Sequence, residues 1–141
     1  MRQGWAILLL CGVSLGAQST RTYKARLSPV PIDVSMQATV AGTGAVTATL
    51  TGNALAVNGT FEGLRSPATV AKVHKSPVRG VRGPELFDLT ITAAPSGTIS
   101  GTLNLNPQQI ADLQAGRLYV QVHSEKAPDG NLWGWLMDKG K

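Results

Sequence analysis

His74 and His123 are the only imidazoles in the chain and the side chains best suited to chemistry. Neutral imidazole binds copper or zinc and moves protons near neutral pH. Two are too few for a metal site that takes three or more imidazoles from one chain. The single cysteine, Cys11, lies in an apolar N-terminal run, so the folded domain is expected to have no disulfide, no thiolate nucleophile and no cysteine-based zinc site. Gly-x-Ser-x-Gly, a glycine-rich phosphate loop and His-Glu-x-x-His are absent from the sequence. Glu85 with Asp88, or Glu125 with Asp129, would be the carboxylates of a glycosidase, which must stand about 5–9.5 Å apart. Acids in loops are more commonly solvated than catalytic. Ser66 and Ser124 have no evident base and orienter. No catalytic residue is assigned, and the chain is read as non-enzymatic.

Val73-His74 and Val122-His123 each end an expected strand, which places both histidines near one end of the sheet. There they are expected to hold the 75–84 loop against the 124–130 loop through hydrogen bonds. The alternative is capture of copper or zinc by His74 and His123, completed by Glu125, Asp129 or a partner's side chain. Outside that alternative no cofactor is implied.

Binding residues are sought in charge and aromatic placement. The formal net charge is +5, and Lys72, Lys75, Arg79 and Arg82 follow one another with no acid among them. A locally basic loop is either a solvated face or a contact for a protein or an anionic polysaccharide surface. No aromatic residue is interleaved with these cations to stack a base, so nucleic acid is not expected. Trp133 and Trp135, two apart in a strand, point to one face. Inward they would be core anchors beside Leu118 and Val120. Outward they would form an adhesive pair, with Leu132, Gly134 and Leu136 facing the core. The outward placement is the expectation, and Lys72, Lys75, Arg79, Arg82, Trp133 and Trp135 are the candidate binding residues.

The elements that must position these residues show a period of two. With 141 residues, 43% hydrophobic and 15% charged, the chain is read as one lightly charged globular domain. Polar residues alternate with Met36-x-Ala38-x-Val40, Val46-x-Ala48-x-Leu50, Leu55-x-Val57-x-Gly59-x-Phe61 and Phe87-x-Leu89-x-Ile91. The same holds for Ile99-x-Gly101-x-Leu103-x-Leu105 and Leu118-x-Val120-x-Val122. Gly42-Thr43-Gly44, Thr51-Gly52-Asn53, Gly83-Pro84 and Pro95-Ser96-Gly97 mark turns. Gly59 and Gly101 fall on inward positions, where a neighbour packs closely or the strand bends. One segment breaks the period. Asn106 as cap, Pro107 at the first position, Ile110 and Leu113 three apart, and Gly116 at the end predict a short helix over 107–115. The expected fold is all-β, an antiparallel Greek-key sandwich or barrel of about 7–9 strands. Residues 20–31 are an N-terminal extension or edge strand, 32–137 the β-domain and 138–141 a tail. Asn58-Gly59-Thr60 is a formal glycosylation acceptor inside an expected strand.

Met1-Arg2-Gln3-Gly4, an apolar run from Trp5 to Val13, and small residues from Ser14 to Ser19 follow the order of a signal peptide, with cleavage near 17–19. The run is too short for a helix spanning a ~30 Å hydrocarbon core, so no membrane span is expected after cleavage. A lipid anchor on Cys11 is disfavoured by the large Leu10 before it. The product is expected to be secreted or periplasmic.

Several stretches together resemble the CHRD domain. They are Phe61 to Thr69, Ala71-Lys72-Val73-His74, Gly80-Val81-Arg82-Gly83-Pro84, Phe87-Asp88-Leu89, Ser96 to Leu103, Leu113 to Gly116, Leu118 to Ser124, Pro128-Asp129-Gly130 and Gly134-Trp135-Leu136. The resemblance covers about residues 32–137. The family is named from repeats in chordin, an extracellular antagonist of bone morphogenetic proteins, and also occurs as single secreted bacterial domains. It implies an extracellular or periplasmic β-domain and little about chemistry. Val122 to Gly130 is also similar to the later histidine stretch of copper–zinc superoxide dismutases, with His74 matching the second member of their His-x-His pair. CHRD domains usually carry Ala-His-Ile-His in the first motif, and here Lys72 replaces the first histidine. An ammonium is no ligand, and the further zinc-binding histidines are missing, so dismutase activity is not expected. The likeness implies shared shape rather than shared reaction.

Overall fold

The computed structural model describes residues 19–139, so the expected signal peptide and Cys11 lie outside the described residues, apart from Ser19. The alternating pattern becomes strands β1 Thr20–Pro29, β2 Thr43–Thr51, β3 Ala54–Glu62, β4 Ala68–Lys75, β5 Glu85–Ile91 and β6 Gly97–Asn104. Helix α1, Pro107–Gln114, leads into β7 Leu118–Ser124, β8 Ala127–Trp135 and the short β9 Met137–Asp138.

All pairings are antiparallel and run β2-β3-β6-β5-β4-β7-β8-β1, with β9 added on β1. β1 also pairs with β2 from Thr20↔Thr51 to Leu27↔Gly44, which closes the ring into an eight-stranded barrel. Two Greek keys share the β4-β5-β6 meander, because β3 returns beside β6 and β7 returns beside β4. The Greek-key barrel expectation therefore holds. β1 is not an edge strand, however. Its inward Tyr23, Ala25 and Leu27 are buried, and β2 flanks it on one side with β8 and β9 on the other. Without that closure two strand edges would lie open to other chains.

The core takes one residue in two from each strand, including Val46, Ala48, Leu55, Val57, Val73, Ile99, Val120, Val122 and Leu132. Glycines allow close approach where the sequence anticipated it. A Cβ on Gly59 would strike the Ala45 carbonyl, and one on Gly101 would meet Leu89 Cδ2 at 2.9 Å. Gly134 does the same at the closure, where a Cβ would run into the Arg26 carbonyl.

One expected strand is absent. Met36, Ala38 and Val40 lie in a 3₁₀ turn, Val34–Met36, and the bends after it. Asp33 Oδ1 accepts from the Met36 N–H at 3.1 Å and caps that turn locally. Val40 then packs with Val30 and Ala127 in a second, smaller apolar cluster.

The helix is where it was predicted. Asn106 accepts from the Gln109 N–H at 2.8 Å, the Gln109 side chain accepts from the Asn106 N–H at 2.9 Å, and Gly116 ends it at φ +73. Leu113 anchors it in the core, and Asp112 is buried facing β4. Lys75 Nζ lies 3.1 Å from Asp112 Oδ2, the carboxylate side chain being 3% exposed and the lysine 36%. Removing the cation would leave a buried charge unpaired, a cost moderated by the lysine's partial exposure. Lys75→Gln is expected to lower unfolding stability by about 2 kcal/mol in urea titration, while Arg79→Gln stays within about 0.5 kcal/mol.

Candidate functional site

Alternation along β4, β7 and β8 sends one set of residues into the barrel and the other to an outward face. In register across that face, His74 stands opposite Tyr119 and Tyr119 opposite Trp135. The next row is Lys72, Gln121 and Trp133, and beyond it His123 faces Val70. The inward partners are Val73, Val120 and Val122 with Leu132 and Leu136. Trp133 and Trp135 thus point outward, and Leu132, Gly134 and Leu136 are the inward set.

The first row is an aromatic shelf. His74 stacks on Tyr119 with centroids 4.9 Å apart and planes 15° apart. Trp135 lies 4.8 Å from Tyr119, and Trp133 meets Trp135 edge-on at 4.7 Å. Arg82 lies over Trp133, its guanidinium carbon 5.5 Å from the ring centroid, close enough for a cation–π contact. Tyr119 is buried, while both tryptophans stay half-buried.

The 76–84 loop is drawn over this shelf by one peptide. Gly83 N–H donates to the Tyr119 hydroxyl at 2.9 Å, and the Gly83 carbonyl accepts from His74 Nδ1 at 3.0 Å and from the Tyr119 hydroxyl at 3.3 Å. A side chain at 83 would collide with the Lys75 carbonyl, so only glycine fits. Farther along, Arg82 donates to the Asp129 carbonyl at 2.9 Å, and Gln121 Nε2 donates to the same carbonyl at 3.2 Å. His123 Nδ1 lies 2.8 Å from the Pro128 carbonyl, with its Nε2 3.3 Å from the Gln121 amide. A carbonyl only accepts, so each histidine carries its proton on Nδ1.

The two histidines are not at one end of the sheet. β4 and β7 are antiparallel, so their C-terminal ends face opposite ways and four register positions separate His74 from His123. Each ties its own loop, at Gly83 and at Pro128, and it is Arg82 that joins the two loops. Both sit at irregular register, His74 beside a shift in the β4–β5 pairing and His123 within one between β7 and β8. Such shifts re-aim side chains.

The expected basic loop is likewise dispersed. Lys72 and Lys75 are strand residues with acids from other elements against them. Lys72 lies 2.7 Å from Glu85 and 3.4 Å from Asp88, and the Glu85 hydrogen bond raises its ammonium above the ordinary value. Glu85 and Asp88 therefore hold a cation instead of forming a carboxylate pair. Arg79 is exposed beside Gly116. Arg82 alone of the four joins the aromatic shelf. Among the described residues no group of three or more His, Cys, Asp and Glu is placed to hold a metal ion.

A match to the CHRD domain spans residues 23–136. The chain belongs to the CHRD family. No curated protein and no solved structure matches it. The CHRD match starts within β1, so the closing strand is part of the domain. The CHRD-like stretches, scattered over about half the sequence, meet on one face: His74 and Gly83 from the first half, Tyr119, Gln121, Asp129 and Trp135 from the second. Tyr119 and Gln121 carried no motif of chemistry. Their signal was positional, as the outward alternates of Leu118, Val120 and Val122.

Burial depresses the His74 pKa below the usual imidazole value, and the neighbouring His123 and Lys72 push the same way against the Gly83 bond. Below about pH 6.5 the unfolded chain binds a proton that folded His74 refuses, so stability falls as pH drops toward the depressed value and levels off beneath it. Urea unfolding between pH 7 and pH 5 should fall less steeply for His74→Gln than for the native chain. Parallel slopes would show that His74 is not the titrating group.

Proposed function

We propose that this CHRD domain is an exported, non-enzymatic interaction module that meets its partner, a protein or an anionic polysaccharide surface, on the outward face of β4, β7 and β8. One observation carries the reading: the two tryptophans lie outside the main core, which is filled without them, and both stay half-buried, Trp133 with one side against the small Val30, Val40 and Ala127 cluster. Large aromatics kept half in water are the side chains that dominate binding energy at interfaces. The loop across the shelf adds exposed apolar groups, Val78 at 65% and Val81 at 49%, beside Arg82. Hydrogen bonds hold the shelf in place, so a partner would meet a preorganised surface.

Export is supported by the order of charged, apolar and small residues at the N-terminus. Among the described residues no helix is long and apolar enough to cross a membrane.

Trp133→Ala is expected to reduce capture of the partner from the exported fraction at least tenfold, the scale of an interface hot spot of about 2 kcal/mol. Thr51→Ala, at the exposed end of β2, should leave capture unchanged. Equal capture by both variants would remove the shelf from the interaction.

The copper or zinc alternative rests on His74 and His123 alone, and the Lys72 ammonium between their rows opposes a cation. Chelator-stripped protein titrated with micromolar Cu²⁺ or Zn²⁺ is expected to give no heat. Stoichiometric binding that disappears in His74→Ala would favour the metal reading.

A further inference from the structure

A second group of cations with no acid against them lies away from the 72–82 segment. At the barrel closure β1 changes neighbours, Ser28 pairing with Trp133 of β8 and Lys24 with Met137 of β9. The change of partner opens a groove of about 560 Å³ whose lining includes Lys24, Arg26, Lys139, Thr47, Met137 and Trp135. No carboxylate lines it. Among the described residues, none of the three cations is within 4.0 Å of an acid, whereas the nearby Asp138 is met by Arg21 at 2.9 Å.

The groove continues onto a polar surface. Thr47, Asn58 and Ser100 stand in register across β2, β3 and β6, and Ala45, Thr60 and Thr98 form the adjoining row. These rows line a second shallow depression of about 620 Å³, sharing Ala45 and Thr47 with the first. At about 4.8 Å between strands, the path from Trp135 across β1, β2 and β3 to β6 is roughly 19 Å long. It offers an aromatic at one end, cations beside it, and hydroxyl and amide groups along the rest.

We propose that this path binds an extended anionic polysaccharide. The inference rests on the reading of the chain as an interaction module and adds to it a second surface, on β1, β2, β3 and β6, with its ligand class. Lys24, Arg26 and Lys139 would take the sulfate or carboxylate groups, Trp135 one sugar ring, and the Thr47–Asn58–Ser100 row the sugar hydroxyls. An acidic peptide fits less well, since the side chains in the rows beyond Trp135 and Met137 are small or carry hydroxyl and amide groups, with no large apolar one to anchor a peptide side chain. A nucleic acid would need an aromatic for successive bases, and among the described residues Trp135 is the only ring lining the path.

The test is calorimetric titration of the purified chain with dextran sulfate, neutral dextran of equal length, polyglutamate and single-stranded DNA, at two salt concentrations. Dextran sulfate should bind, and the others more weakly or not at all. The variant Lys24→Gln/Arg26→Gln/Lys139→Gln should bind it at least about tenfold more weakly, with a log–log salt slope shallower by about 2–3, as three fewer cations release counterions. A control with the same charge loss elsewhere, Arg65→Gln/Arg117→Gln/Lys126→Gln, should keep most of the affinity. Equal loss in both triple variants, or polyglutamate or DNA binding as tightly as dextran sulfate, would overturn the proposal. Absence of dextran sulfate binding while Trp133-dependent capture persists would overturn the polysaccharide and leave the interaction module standing. Absence of both would remove both readings.

Discussion

The pairing of β1 with β2 on one flank and with β8 and β9 on the other is the constraint on which the structure depends. Eight strands with an open seam would expose two rows of unpaired backbone groups, whereas β1 satisfies both rows and seals Tyr23, Ala25 and Leu27 into the core. Closure also assigns every strand residue a side. Once the ring is complete, alternate positions face a filled interior, and the remainder face water or a covering loop. Gly134 lets β1 approach β8 at the seam, where any side chain would strike the Arg26 carbonyl.

The consequences of closure differ around the barrel. On β4, β7 and β8 the outward positions hold His74, Tyr119, Gln121 and the tryptophans, and the Gly83 peptide fastens a loop over them. Gly83 uses both its N–H and its carbonyl, and the side chains of Tyr119 and His74 beneath the loop are their partners. His74 contributes as a neutral ring, stacked on one side and hydrogen-bonded at its edge. On β1, β2, β3 and β6 the outward positions include threonines, serine, asparagine and cations, and among the described residues no acid lies within 4.0 Å of Lys24, Arg26 or Lys139 and no loop lines the groove they border. One face is thus an ordered aromatic shelf, and the other a wet, basic, hydroxyl-rich surface.

Charge shows most clearly why proximity in sequence misleads. Lys72, Lys75, Arg79 and Arg82 look like one basic loop, yet Glu85 and Asp88 meet the first, Asp112 meets the second, and the Asp129 carbonyl takes the fourth. Those partners arrive from β5, α1 and β8, at sequence separations that no local pattern encodes. Lys24 and Arg26, by contrast, are ordinary outward residues of a strand in the sequence. They become a cationic cluster because the barrel brings Lys139 to them, while Arg21 meets the nearby Asp138.

The all-β class, the strand positions from Val46 onward, the capped helix and the shared face of the two tryptophans were legible in the sequence, because each follows from a period of two or from capping chemistry within a few residues. Met36 to Val40 was misread because alternation alone cannot see the Asp33 cap that turns the segment, nor the lack of a neighbouring strand. The family likewise followed from motif order. Which residues meet was decided by tertiary structure alone. Strand order and direction set His74 and His123 four positions apart, place β1 at the seam and pair Lys72 and Lys75 with their acids, because these contacts join segments whose separation along the chain is bridged only by the closed barrel.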